Sequence, residues 1–268
     1  MAEPNDPILL FDTGVGGLTV YDALRDILPD APVIYAADYA GIPYGQKTEA
    51  EVGARVAGLL GRMAERYQPR LACIACNTAS TIALGMVREV LEIPIVGTVP
   101  AIKPAASLTK TGTIALVGTK ATIRQAYVDD LEAQFASGKN LLRIAAPELV
   151  DIAEAKLRGH AIDDTAIRAL AEALRGTPDG ETIDTLVLAC THFPLLSDEF
   201  ALAFGPDVNL VDGAQGIARR IAALLEGQRF DPGERSRFVV TGPADRAAGL
   251  ERALSARGLG VAQSFTNP

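Results

Sequence analysis

Short apolar runs alternate along the chain with longer amphipathic segments. The apolar runs are rich in Val, Ile and Leu, as strands are when helices cover both faces of their sheet. The segments between them, such as residues 18–28 and 49–67, repeat their apolar positions every three or four residues, which predicts helices. The alternation therefore predicts an α/β protein with mainly parallel sheets. The runs predicted to be strands are residues 8–12, 32–38, 71–75, 94–99, 113–118, 141–146, 184–189, 208–211 and 238–242.

The helix predicted at residues 49–67 carries a sequence signal for its start. Thr48 and Glu51 have the spacing of a capping box, in which each side chain accepts a hydrogen bond from the other residue's backbone amide. We therefore expect this helix to begin directly after Thr48.

Two of the predicted strands end in nearly the same way. LACIACNTAS at residues 71–80 and LVLACTHFPLL at residues 186–196 both pass from apolar residues into Ala-Cys followed by polar side chains. Cys76 and Cys190 are 114 residues apart, and ligands of open α/β sheets bind at the carboxyl ends of strands. The repeat predicts two α/β units that place two thiols around one cleft. A single cysteine at such a place would more simply be a small buried hydrophobe.

The composition and charge of the chain limit the kinds of partner that it can bind. The 268 residues are 49% hydrophobic and 22% charged, which is enough to bury one large core or two ordinary ones. The formal charge of −8 disfavours nucleic acid and anionic membranes. No signal-like segment or membrane-length apolar run occurs, so we expect a cytosolic protein whose partners are small molecules or proteins. Its three cysteines cannot all pair within one chain and would stay reduced there.

A glycine-rich turn, FDTGVGGLTV at residues 11–20, follows the first strand. It suggests a dinucleotide site with Asp38, at the end of the second strand, as the ribose ligand. The fit is poor, because Thr19 stands at the place of the third glycine and Asp12 would put a carboxylate beside the pyrophosphate. We expect Asp12 instead to bind a cationic group, such as a substrate ammonium, or to handle a proton. Capping the following helix is the alternative and is compatible with either role.

Cys73 and Cys76 form a C-x-x-C pair, with Cys190 and His192 as conceivable further zinc ligands. Residues three apart on a strand point to opposite faces, so the two cysteines should not converge on one metal or form a redox pair. We expect Cys73 to be a core residue and the protein to use no metal.

The two histidines differ in their neighbours. His160 follows a glycine among polar residues and is expected in solvent. His192 lies two residues after Cys190, where an imidazole can lower the effective pKa of the thiol or carry a proton. Packing beneath Phe193 and Pro194 would be its structural alternative.

Two loops, YAGIPYGQKT at residues 39–48 and VGTKATI at residues 117–123, are rich in small polar groups. Gly45 lets backbone amides approach a ligand, and Thr119 and Thr122 add hydroxyls that can bind a carboxylate. Ordinary turn formation is the competing interpretation.

The chain resembles the bacterial glutamate racemases of the cofactor-independent aspartate/glutamate racemase superfamily. The resemblance runs from about residue 8 to residue 212, in six ordered segments: FDTGVGGLTV, DYAGIPYG, ACNTAST, IPIVGTVPAI, VGTKATI with the following AYV, and LACTHFPLL. It implies two pseudo-symmetric three-layer α/β domains, residues 1–98 with 208–268 and residues 99–207, with the active site in the cleft between them. It also implies interconversion of L- and D-glutamate for peptidoglycan synthesis without cofactor or metal. Dimers are common among these enzymes.

The resemblance implies roles for individual residues as well. Cys76 would deprotonate D-glutamate and Cys190 L-glutamate, with Asp12 supporting the first side and His192, paired with Glu154, the second. The substrate contacts that carry over are Asp12, Thr13, Tyr44, Gly45, Asn77, Thr78, Thr119, Thr122 and Thr191. Thr13 departs from the serine usual in the family and adds a methyl group to the cleft wall.

Two other functions stay open at this point. An aspartate racemase, a hydantoin racemase or a decarboxylase of the same superfamily would use similar thiols and differ in the preferred side-chain length. A non-catalytic binding protein for acidic amino acids would bind glutamate without exchanging its α-hydrogen.

Overall fold

The computed structural model describes residues 3–231 and 233–265. The strands in this part of the chain are β1 Ile8–Asp12, β2 Val33–Ala37, β3 Leu71–Ile74, β4 Ile95–Gly97, β5 Thr113–Gly118, β6 Asn140–Ala145, β7 Thr185–Leu188, β8 Asn209–Val211, β9 Arg237–Thr241 and β10 Gln263–Phe265. The α-helices are α1 Leu18–Ile27, α2 Glu49–Tyr67, α3 Asn77–Val90, α4 Ile102–Leu108, α5 Lys120–Ile123, α6 Ala126–Phe135, α7 Leu149–Leu157, α8 Thr165–Arg175, α9 Ser197–Phe204, α10 Ala214–Leu224 and α11 Glu251–Ser255. Short 3-10 helices lie at Tyr44–Gln46, Gly180–Thr182, Phe193–Leu196 and Ala244–Ala247.

The strands form two sheets, and every pairing between neighbouring strands is parallel. The first sheet has the order β10-β9-β2-β1-β3-β4 and the second has the order β6-β5-β7-β8. The protein therefore consists of two parallel-sheet α/β domains, and the fold class predicted from the alternating pattern is confirmed.

Helices cover both faces of each sheet, which is why the strands read as unbroken apolar runs. In the first domain α1 and α10 pack on one face and α2 and α3 on the other. In the second domain α7, α8 and α9 cover one face and α4 and α6 the other. Cys73 belongs to the cluster beneath α1, whereas Cys76 belongs to the cluster beneath α2 and α3. The prediction that these cysteines face opposite sides of the sheet is confirmed.

The start of α2 shows how local sequence sets an element boundary. The Thr48 hydroxyl accepts a hydrogen bond from the Glu51 amide at 3.2 Å, and the Glu51 carboxylate accepts one from the Thr48 amide at 2.9 Å. This is the predicted capping box, and α2 begins at the predicted residue.

One predicted boundary needs correction. The division placed residues 208–268 in the first domain, but β8 pairs with β7 and so belongs to the second sheet. The chain therefore returns to the first domain after Val211, because the short apolar run at β8 completes the second sheet. The rest of the proposed division stays a prediction. Among the described residues, no helix combines the length and the apolar character that crossing a lipid bilayer requires.

Candidate active site

A cavity of about 200 Å³ lies where the carboxyl ends of strands from the two sheets meet. Thr13 and Cys76 reach it from the ends of β1 and β3, and Thr119 and Cys190 reach it from the ends of β5 and β7. This is the edge at which open α/β sheets bind ligands. The predicted site residues that line it are Thr13, Tyr44, Gly45, Cys76, Asn77, Thr78, Thr119, Cys190, Thr191 and His192.

Cys76 is the N-cap residue of α3. Its sulfur accepts a hydrogen bond from the Ala79 amide at 3.5 Å, so the thiol lies at the positive end of a helix. Burial nevertheless raises the pKa of Cys76 well above its ordinary value, and the nearby Asp12 carboxylate raises it further. The thiol form is therefore favoured in these surroundings.

Asp12 lies behind the cavity wall rather than in it. Its carboxylate is fully buried and accepts hydrogen bonds from the amides of Thr13 and Gly17, both at 2.7 Å, and from the Tyr35 hydroxyl at 3.2 Å. Burial raises the pKa of Asp12, while the charge of His192 and the two amides oppose this rise. The bond to Gly17 at the start of α1 is the capping role considered from sequence, and contact with substrate stays a prediction.

Cys190, His192 and Glu154 form a relay on the other side of the cavity. His192 Nδ1 lies 3.9 Å from the Cys190 sulfur, and its Nε2 lies 3.0 Å from Glu154 Oε1. Burial by itself would lower the pKa of His192, but hydrogen bonds to Cys190 and Glu154 outweigh it and raise the pKa well above the usual value. The imidazole can therefore stay positively charged beside the Cys190 thiol.

Glu154 stays ionised although its side chain is only 9% exposed. Burial raises its pKa, but hydrogen bonds from His192, Arg158 and the Val15 amide prevail and lower the pKa from 4.5 to about 2. Arg158 was not predicted as a site residue, although its position four residues after Glu154, directly after the end of α7, could have indicated an ion pair.

The glycine-rich turn brings the first domain against this relay. A Cβ atom on Gly16 would lie 2.6 Å from both the backbone nitrogen and Nδ1 of His192, and one on Gly14 would overlap Glu154 Oε1. Glycine is required because no side chain fits between the turn and the histidine. The turn that resembled a phosphate loop in sequence thus packs against a histidine.

Three threonine hydroxyls join the two domains at the cavity. Thr78 lies 3.0 Å from Thr119 and 3.3 Å from Thr122, and Thr119 lies 3.0 Å from Thr122. Thr122 is fully buried and does not line the cavity. Its position supports the other two hydroxyls from behind.

Tyr44 forms part of the cavity wall and is anchored by Asp38. The Tyr44 hydroxyl donates to Asp38 Oδ2 at 2.6 Å, while Arg55 Nε and Nη2 donate to the two oxygens of the same carboxylate at 2.5 and 2.6 Å. Thr241 also donates to Asp38. Asp38 therefore holds Tyr44 in the wall of the cavity, and these contacts do not fit a ribose-binding role.

The cavity also presents polar groups that remain available to a ligand. Asn77 is 7% exposed, and its Oδ1 has no hydrogen-bond partner within the described part of the chain. A buried acceptor of this kind suits an ammonium donor. Lys120 and Asp151 line the cavity too and were not predicted, although each lies close to predicted residues in sequence.

Comparison with known proteins identifies the family. The Asp/Glu/Hydantoin racemase family matches residues 18–221. The chain belongs to this racemase family. It is an amino-acid racemase and hence an isomerase, as glutamate racemase relatives of high identity support.

Two kinds of relative illustrate the likeness. The glutamate racemase of Sphingopyxis alaskensis is 62% identical to this racemase over 227 residues, which are 85% of each chain. The crystal structure of Escherichia coli glutamate racemase with L-glutamate and the activator UDP-MurNAc-ala has a TM-score of 0.90 and 39% identity, and the alignment covers 97% of this chain and 98% of that one. Glutamate racemase from Francisella tularensis in complex with D-glutamate has a TM-score of 0.78 and 28% identity, over 98% of both chains.

Proposed function

We propose that this racemase interconverts L- and D-glutamate by proton transfer between the α-carbon and two cysteines, Cys76 and Cys190. The observation that carries the proposal is that the two thiols line one cavity from the strand ends of different sheets. Inversion needs an acid and a base on opposite faces of one carbon, and two thiols facing one cavity meet that need. Relatives named glutamate racemase, at 62% and 45% identity, support glutamate as the substrate.

The proton balance links the two directions. With D-glutamate, the Cys76 thiolate takes the α-proton and the Cys190 thiol gives its proton to the opposite face. L-Glutamate leaves, and the thiolate now resides on Cys190, which is the form that deprotonates L-glutamate. No cofactor is needed for this exchange, since each thiol acts as the base in one direction and as the acid in the other.

Substrate binding follows from the polar groups of the cavity wall. The unpaired Asn77 Oδ1 would accept a hydrogen bond from the substrate ammonium. Hydroxyls of Thr78, Thr119 and Thr191, together with the backbone at Gly45, would bind the two carboxylates. Because these groups are neutral, they can hold an anion without lowering the reactivity of a neighbouring thiolate.

The residues beside the two thiols differ, and both sets fit this reaction. His192 and Glu154 would stabilise the thiolate of Cys190, and Asp12 would serve the Cys76 side. Thr13 adds a methyl group to the wall where the family usually has serine. In the cell, the D-glutamate formed would supply peptidoglycan synthesis in the cytoplasm, and a homodimer stays a prediction.

The decisive experiment incubates the purified protein with L-glutamate in deuterated water, without added cofactor and with a chelator. Circular dichroism should decay to zero as the racemic mixture forms, while NMR shows deuterium entering the α-position. L-Aspartate, tested in parallel, should react much more slowly. Glutamate binding without α-hydrogen exchange would favour the binding-protein alternative, and faster reaction of aspartate would favour an aspartate racemase.

A further inference from the structure

Glu154 is held from both of its carboxylate oxygens. Oε1 accepts hydrogen bonds from the Val15 amide at 2.9 Å and from His192 Nε2 at 3.0 Å. Oε2 accepts one from the Tyr39 hydroxyl at 3.0 Å and another from Arg158 Nη1. The pair on Oε2 does not line the cavity, so its members are not in a position to touch a substrate there.

Tyr39 and Arg158 also bind each other. Arg158 Nη2 donates to the Tyr39 hydroxyl at 3.1 Å, and the guanidinium carbon lies 5.6 Å from the centre of the Tyr39 ring. Arg246 Nη1 donates to the Tyr39 carbonyl at 2.9 Å and so fixes its backbone. Tyr39 follows β2 in the first domain, whereas Arg158 follows α7 in the second. Glu154, Tyr39 and Arg158 thus form a closed triangle across the two domains.

We propose that Arg158 and Tyr39 are positioning residues for the Cys190 side of the reaction. They hold Glu154 Oε2, so that Oε1 stays directed at His192 Nε2. This inference rests on the proposed role of His192 and Glu154 in serving Cys190.

The physical reason lies in the freedom of a carboxylate. The last torsion of a glutamate side chain has a broad, nearly twofold preference, so the two donors on Oε2 restrict the plane of the carboxylate. A permanent guanidinium charge also compensates the buried carboxylate, which keeps Glu154 an acceptor. The bond to Nε2 then decides which nitrogen of His192 faces the Cys190 sulfur. Without the pair on Oε2, the imidazole would lose its fixed orientation.

A purely structural role is the alternative, in which the triangle only ties the domains together. It predicts loss of stability or weaker substrate binding, with the surroundings of the His192 ring unchanged. Positioning predicts a lower kcat at nearly constant KM, together with a changed His192 ring.

The variant Arg158→Met removes the charge but keeps most of the apolar stem. The matched control is Lys156→Met near the end of α7, which breaks a 2.7 Å ion pair with Glu199 away from the cavity. We expect kcat to fall at least about tenfold in Arg158→Met, the lower end of the value of one hydrogen bond to a charged group, with KM within about twofold of wild type. Lys156→Met should match the wild type, and Arg158→Lys should recover part of the loss.

The second readout is the ¹⁵N NMR spectrum of the imidazoles. The chain has two histidines, and exposed His160 provides the internal reference for His192. Arg158→Met and Tyr39→Phe should both shift the His192 signals and leave those of His160 in place. Tyr39→Phe removes a single hydroxyl, so it carries the test if Arg158→Met does not fold.

The outcomes separate the two proposals. Kinetics and His192 signals in Arg158→Met and Tyr39→Phe that match those of Lys156→Met would overturn the positioning role. If the wild-type protein does not racemise glutamate, the proposed function fails, and the NMR shift alone decides whether Arg158 and Tyr39 orient His192.

Discussion

Replacement of Gly16 by alanine tests whether the glycine-rich turn exists to approach His192. The added Cβ would lie 2.6 Å from the backbone nitrogen and from Nδ1 of His192, and 2.7 Å from the carbonyl carbon of Thr191. Even a contact of 3.0 Å, which Cβ atoms essentially never undercut, requires an opening of about 0.4 Å. Two of the three atoms belong to the backbone and cannot swing away, so the turn or the histidine must move.

The magnitude follows from that displacement. Overpacking of this kind costs about 1–3 kcal/mol of stability. Displacing a reacting group by about 1 Å can reduce the rate about a hundredfold, so a shift of roughly half that size should lower kcat/KM by about tenfold or more. The loss must be equal in the two directions, because L- and D-glutamate have the same free energy in water.

The matched control is Gly61→Ala in α2, where the new Cβ would meet nothing within 4 Å. Alanine in a helix interior should stabilise the protein by about 0.5–1 kcal/mol and leave activity unchanged. Urea unfolding gives the stabilities, and circular dichroism of the racemisation gives kcat/KM. A Gly16→Ala protein as stable and as active as Gly61→Ala would refute the close-approach argument.

Three further predictions concern the cavity and the groups that support it. Cys76→Ala and Cys190→Ala should each abolish racemisation of glutamate, whereas Cys73→Ala should keep most of it because Cys73 packs on the opposite face of the sheet; comparable loss in all three would contradict this. In a His192→Asn variant the primary isotope effect should rise more with α-deuterated L-glutamate than with the D-enantiomer, and equal rises would argue against His192 serving Cys190. Glu154→Gln should lower the free energy of unfolding at neutral pH. Since the pKa of Glu154 is lowered from 4.5 to about 2 in the folded protein, its stabilisation is present above 4.5 and is lost as the pH falls toward 2. The difference from wild type in urea unfolding should therefore shrink at about pH 3, and a constant difference would contradict it.

The sequence predicted the strands well where both faces of a strand are buried. The run at residues 113–118 coincides with β5, and most other predicted ends lie within one or two residues of the observed ones. The strand β10 was missed, because it has only three residues, Gln263 and Ser264 are polar, and it lies at a sheet edge where it pairs only with β9. The placement of β8 was decided by pairing with β7, which a run of three residues cannot reveal.

The site residues could be predicted where a reactive side chain directly follows a strand, and not where a side chain comes from a distant part of the chain. Cys76 and Cys190 could be predicted because each directly follows an apolar run. Tyr39 is 115 residues from Glu154, and no local pattern links the two. The glycine-rich turn resembles a phosphate loop in sequence, because a sequence shows that a side chain is absent but not which group takes its place.

The repeated sequence at the two strand ends accounts for the positions of the two thiols, but it does not determine which charged groups lie beside them. Cys76 caps α3, a helix of 14 residues, and receives the Ala79 amide at its positive end. Cys190 is followed instead by the 3-10 helix Phe193–Leu196, which has only four residues and offers little dipole. On that side His192, whose pKa is raised, supplies the positive charge that a helix end supplies on the other. The two halves of the chain therefore place a positive group beside each thiol by different means.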